Sequence, residues 1–283
     1  MKKLILIILF FTSCSPKLIV DSESLGLDIY KCNNLENTVP EDTKSPINEI
    51  FVIGHLYGDR YKQDNDIPEK VINYFEAYKS TSNTYIALTG DMVKEPTLDA
   101  LEKVNNFLKS NSIGYFLSPG NHDIYPSSSN YQKVFNDDFY FKEFNNFLLI
   151  AANFSTSDWL PSDEQKIRIN NLINNTSKEN IILLSHQIFW YEDIDFEFKP
   201  NSFALLESEL QKNSLNWIDL ENKKNFIIIS GDSGAYGQDT MCYLNDNKLF
   251  IANGIGNFDD DTMIKISEIE DLLIIEEIPL SNS

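Results

Sequence analysis

Histidine and cysteine are scarce in this 283-residue chain, at three of each. Basic residues are few as well: 23 Lys and Arg stand against 43 Asp and Glu, a net charge of −20. Each shortage excludes something. Three cysteines, Cys14, Cys32 and Cys242, build no disulfide framework, and no close pair among them suggests structural zinc. A chain this acidic is repelled by polyanions, so no nucleic-acid partner is expected. The three histidines, His55, His122 and His186, are too few for a His-rich metal store. What is there is globular: 42% hydrophobic and 12% aromatic residues exclude disorder. The length suits one generous α/β domain or two small ones.

The N-terminus reads as an address. Met1-Lys2-Lys3 is a short basic start, and Leu4 to Phe11 is an unbroken apolar run. That run is far short of the ~20 residues a helix needs to span a bilayer. Small Thr12 and Ser13 precede Cys14. The segment resembles a bacterial lipoprotein signal, cut before a cysteine that is then lipidated; an ordinary signal peptide is the plainer alternative. The resemblance implies a signal peptide over 1–13 and a lipid-anchored tether and lead-in over 14–48, with room for one short strand. It also implies attachment to the membrane of a bacterial cell envelope. Ser15-Pro16-Lys17 carries no acidic run, which favours a periplasm-facing anchor. Lipid on Cys14 leaves Cys32 and Cys242 to pair in an oxidising compartment.

From residue 49 to 283 the chain alternates short apolar runs with amphipathic stretches. Strands are predicted over 49–53, 84–89, 113–117, 181–184 and 226–229, with a hairpin over 139–144 and 147–152. Helices are predicted over 68–79, 98–109, 162–174 and 203–212, from apolar residues at helical spacing. Ser162 and Gln165 have capping-box spacing. Only strands follow, over 241–244, 249–252, 262–267 and 272–278. The pattern is α/β with a mixed sheet or two stacked sheets. The Asp259-Asp260-Asp261 run reads as an exposed turn.

Ligands in such folds gather where strands end. There the chain carries Gly54-His55-Leu56-Tyr57-Gly58-Asp59, then Gly90-Asp91, then Gly120-Asn121-His122-Asp123, then Ser185-His186, then Gly231-Asp232-Ser233-Gly234. All three histidines lie in this set, among Asp and Asn oxygens suited to metal ligation. Tyr57 and Tyr125 are placed to flank a pocket. Gly231-Asp232-Ser233-Gly234 lacks a nucleophile elbow, and no spare histidine serves Ser233 as a base.

The ordered set resembles the calcineurin-like metallophosphoesterases over about residues 50–257. The resemblance implies a sandwich of two mixed β-sheets flanked by helices. It implies a cleft in which Asp91 bridges metals, with Asn121, His186 and Asp232 completing one metal position. His122 would contact the phosphoryl group and protonate the leaving oxygen, and Asp123 would orient its ring. Two motifs depart from the family. Aligning Gly58 with the family glycine puts Gly54 and Leu56 where an Asp and a His belong, and Gly234 takes the place of the last His. One preserved metal position and one dismantled position follow, unless His55 and Asp59 rebuild the second. The donor set favours Mn²⁺ or Mg²⁺ over Fe or Zn. The implied function is hydrolysis of a phosphate mono- or diester, on a phosphorylated small molecule or a glycan or lipid phosphoester. The alternative is an impaired member that binds a phospho-ligand or a protein at the envelope.

Overall fold

The computed structural model describes residues 17–20, 45–59, 61, 65–78, 83–155, 161–188, 217–218, 225–233, 240–245, 248–256, 258–259, 261–270 and 272–280. The signal segment, Cys14, Cys32, the helix predicted over 203–212 and Gly234 fall outside these residues.

Two six-stranded mixed sheets stack face to face. The first contains β1 (Lys17–Val20), β2 (Asn48–Ile53), β3 (Asn83–Leu88), β4 (Gly114–Leu117), β11 (Thr262–Ile269) and β12 (Leu272–Pro279), in the order β1-β12-β11-β2-β3-β4. The second contains β5 (Phe139–Glu143), β6 (Phe147–Ala152), β7 (Asn180–Ser185), β8 (Asn225–Ser230), β9 (Met241–Asn245) and β10 (Lys248–Ala252), in the order β5-β6-β7-β8-β10-β9. β2, β3 and β4 are mutually parallel, as are β6, β7, β8 and β10.

Side-chain alternation along the strands explains the layering. Ile50, Val52 and Ala87 of the first sheet meet Leu149, Ile182 and Ile229 of the second in one core. The intervening residues Phe51, Ile53, Ile86 and Leu88 face the opposite way, onto α1 (Glu69–Ala77) and α2 (Leu98–Asn111). Ile181, Leu183 and Ile228 likewise meet Ile169 and Ile173 of α5 (Asp163–Asn175). Strands buried on both faces read as continuous apolar runs, which is how they stood out in the sequence. α5 opens on the Ser162–Gln165 capping box.

Two helices were not anticipated: α3 (Asn121–Ile124) and α4 (Ser129–Phe135). α3 is a single turn, too short to show a period, and α4 buries only Tyr131 and Phe135, spaced four apart. In the acidic run Asp259 is exposed in a turn as expected, and Asp261 departs from expectation. Asp261 is buried; its carboxylate accepts the N–H groups of Gly256 and Phe258 and sits 2.5 Å from the buried Lys70 ammonium. Cys242, on β9, is disulfide-bonded. No helix among the described residues is long and apolar enough to cross a membrane.

Candidate metal centre and active site

The carboxyl ends of β2, β3, β7, β8 and β10 are laced together by backbone hydrogen bonds. His55 N–H donates to Gly90 O, Tyr57 N–H to Asp91 O, Asp232 N–H to His186 O, and Ile255 N–H to Gly54 O. The loops that carry the polar residues are thus fixed to one another before any ligand arrives. His55 and Asp91 both sit in the left-handed region, at φ 53° and 50°. Such strained non-glycine backbone concentrates at functional sites. Two glycines are needed for closeness. A Cβ on Gly90, itself at φ +82°, would lie 2.4 Å from the His186 ring, and one on Gly120 would lie 2.1 Å from Asp91 Oδ1.

Asp91 is the hub. Its Oδ1 lies 3.3 Å from His186 Nε2 and accepts the His122 N–H at 3.1 Å. Its Oδ2 lies 3.6 Å from His55 Nε2. Asp232 Oδ1 stands 3.7 Å from His186 Nε2. Asp91, His186 and Asp232 are all buried, and their donor atoms lie within 4.8 Å of one another.

The two buried histidines are built alike. Nδ1–H of His186 donates to Thr89 O, and Nδ1–H of His55 donates to Ile255 O, each at 3.0 Å. Each ring therefore turns a lone pair at Nε2 towards Asp91, and each Nε2 is buried without a hydrogen-bond partner. A carbonyl-anchored imidazole of this kind is what a divalent cation selects. The orphaned nitrogens and the carboxylates between them fit such an ion.

Electrostatics sort the rings. Burial is the largest influence on His55 and lowers its pKa, against the nearby Asp91 carboxylate, which raises it. Burial also pulls His186 down, but the Asp91 and Asp232 carboxylates outweigh it and raise its pKa. Asp123 is pushed up to about 7 by burial first and by the Asp91 charge second, against the backbone N–H groups that favour its ionised form.

The profile of the calcineurin-like phosphoesterases matches residues 50–249. The chain belongs to the calcineurin-like phosphoesterase family. No curated protein sequence matches it significantly. Among solved structures it is similar to phosphopantetheinyl hydrolase from Mycobacterium tuberculosis, at 12% identity and a TM-score of 0.44, over 75% of this chain and 92% of that one. It is also similar to wild-type Vps29 complexed with zinc from Entamoeba histolytica, at 11% identity and a TM-score of 0.33, over 82% of this chain and 99% of that one. Both likenesses are distant.

Within the family frame the structure sorts the predicted residues. Asp91, His186 and Asp232 come together. Asn121 opens α3 beside His122, and both line one cavity. Leu56 is fully buried in the apolar core, as a residue without donors should be. His55 does reach the hub, one residue from the position that the Gly58 alignment assigned to the opening Asp. Asp59 does not join the cluster; its Oδ1 accepts the Tyr61 N–H at 2.8 Å in a turn.

The expected role of Asp123 needs correction. Its Oδ1 accepts the N–H groups of Met92 and Val93, and its Oδ2 accepts that of Gly120. The ring of His122 is instead oriented by a backbone carbonyl, Lys94 O, 2.8 Å from Nδ1. Asp123 is a positioning residue that ties the Asp91 loop to α3. Sequence reading passed over Lys94, Thr89 and Ile255 because each acts through its carbonyl, which residue identity does not encode. Tyr57 is confirmed beside the site, its buried ring 4.3 Å from His55 and 5.3 Å from His122 between centroids.

Proposed function

We propose that the chain is a metal-dependent phosphoesterase in which Asp91, His186, Asp232 and Asn121 hold one divalent cation. What supports this above all is the pair of buried, unpartnered imidazole nitrogens converging on the two oxygens of Asp91. When bound, the cation supplies Lewis acidity that polarises a phosphoryl oxygen and acidifies water. The chain's own residues do the rest. Asp91 and Asp232 bring negative charge and His186 brings a lone pair, a hard donor set that favours Mn²⁺ or Mg²⁺. Lys94 O holds Nδ1 of His122, which leaves Nε2 to place a proton on the departing oxygen. Asp123 keeps the Asp91 loop and α3 in register. His55 adds one donor at Asp91 Oδ2, which makes two donors and is too few for a second tight site.

The test is a panel of phosphomonoesters and phosphodiesters with added Mn²⁺, run on wild type and His122→Ala. Loss of His122 should cut kcat by about 10²–10⁴-fold while metal affinity holds. Equal rates would rule out catalysis at this site. Metal counting should give one tightly held ion per chain and none in Asp91→Ala; two would refute the single-site assignment.

A second reading is a phospho-ligand or protein-binding member with weak chemistry. It is favoured by Leu56, whose place in the core removes a family ligand. We further place the protein in a bacterial envelope, anchored by lipid at Cys14 and facing the periplasm, on the strength of the basic start, apolar run and cysteine. Labelling with a radioactive fatty acid in wild type and Cys14→Ser decides this.

A further inference from the structure

We propose that this phosphoesterase selects esters whose leaving group is uncharged and largely apolar, and that the cavity beside His122 is where that group sits. The inference rests on the catalytic reading above. The cavity measures about 980 Å³, far more than a phosphate fills. It lies between the segment 94–98 and the segment 121–130. Two hydrogen bonds stitch these walls: His122 Nδ1–H to Lys94 O at 2.8 Å, and Asn130 Nδ2–H to Pro96 O at 2.9 Å. The cleft is therefore preformed.

Its position decides which part of a substrate it receives. His122 is part of the wall, and its Nδ1 is occupied, so a departing oxygen must meet Nε2. The group attached to that oxygen then extends into the cavity. The chemistry of the wall decides what that group is. Pro96, Leu98, Tyr125 and Pro126 supply apolar surface. Leu98 is 41% exposed and Tyr125 76% exposed, large apolar side chains left in water on a chain of net charge −20. Exposed apolar surface gathered at one cleft marks binding. Two polar wall groups are engaged within the protein: Thr97 caps α2 by accepting the Ala100 N–H, and Asn130 holds Pro96 O. Lys94 and Glu95 carry opposite charges and offset each other on one wall.

The test is hydrolysis of 4-methyl-, 4-butyl- and 4-octylphenyl phosphate, whose phenols have nearly equal acidity. With Mn²⁺, kcat/KM should rise at least about tenfold from methyl to butyl, since one fully buried methylene is worth about fourfold. Leu98→Asp with Tyr125→Ser should flatten that rise, and Ile167→Ser, on the remote exposed face of α5, should keep it. An active enzyme with a flat series overturns the inference, as does a rise that survives in the double variant. If no ester is turned over with Mn²⁺ or Mg²⁺, the catalytic reading fails. The same esters are then titrated by calorimetry, and an affinity that does not grow with chain length overturns the cavity assignment separately.

Discussion

Gly120→Ala is the sharpest perturbation the site offers. Gly120 has φ −88° and ψ 177°, an ordinary extended conformation that alanine adopts freely. Any effect must therefore come from the methyl group itself. That methyl would stand 2.1 Å from Asp91 Oδ1, 2.4 Å from Asp91 N and 2.9 Å from Asp91 Cγ, where ordinary contact begins at 3.4 Å. The loop after β4 or the Asp91 carboxylate must move by more than 1 Å in a region where neighbouring backbones are already bonded together. Overpacking of this kind costs about 1–3 kcal/mol of stability, and a 1 Å displacement at a reacting centre costs about 10²-fold in rate. The variant should therefore unfold at lower urea, bind Mn²⁺ more weakly and lose about 10²-fold in kcat on a phosphomonoester. Gly114→Ala is the control: its methyl meets only the Tyr85 ring, at 3.2 Å, far from Asp91. Retention of wild-type Mn²⁺ affinity and rate by Gly120→Ala would refute the placement of Asp91 as the hub.

Three further outcomes follow from the same geometry. Lys70→Met strands the Asp261 carboxylate, buried and 2.5 Å from the lost ammonium, and should cost about 3–5 kcal/mol in urea unfolding; an unchanged midpoint refutes the buried pair. The Asp123 pKa is raised in the folded state, to about 7 from 3.8. Its contribution is whole below pH 4 and is lost as pH rises to about 7, so metal-free protein should lose stability across that window and Asp123→Asn should not. His186 is likewise raised by the Asp91 and Asp232 carboxylates, and a proton competes with a metal for its Nε2, so Mn²⁺ affinity should fall as pH is lowered, with a shallower fall in His186→Ala.

Much of this was legible in the residues. Strands such as 181–184 and 226–229 are apolar at every position because both faces are covered, one by the facing sheet and one by helices. Gly90-Asp91, the Gly120–Asp123 tetrad and His186 could be placed because each directly follows such a strand. Register after β2 was harder. His55 adopts a left-handed turn and bonds to Gly90 O, which brings its ring to Asp91 from a position that alignment on Gly58 had passed over. The anchor of His122 was invisible for a different reason: a carbonyl does the work, and any residue at position 94 carries one. Asp261 misled because one buried lysine, 191 positions away in the chain, turns an acidic turn into an internal ion pair.

β1 carries one more consequence. It runs parallel to β12, and β11 is antiparallel to both β12 and β2, so β1 points the same way as β2 and β3. Its first residue, Lys17, therefore lies at the pole opposite the strand ends that carry Asp91. Only Ser15 and Pro16 separate Lys17 from Cys14. Under the proposed lipidation, the bilayer would grip the domain by its base and hold the catalytic mouth outward. A six-residue strand gives a standoff of about 20 Å. Substrate would then arrive from the aqueous side rather than from the leaflet that holds the anchor.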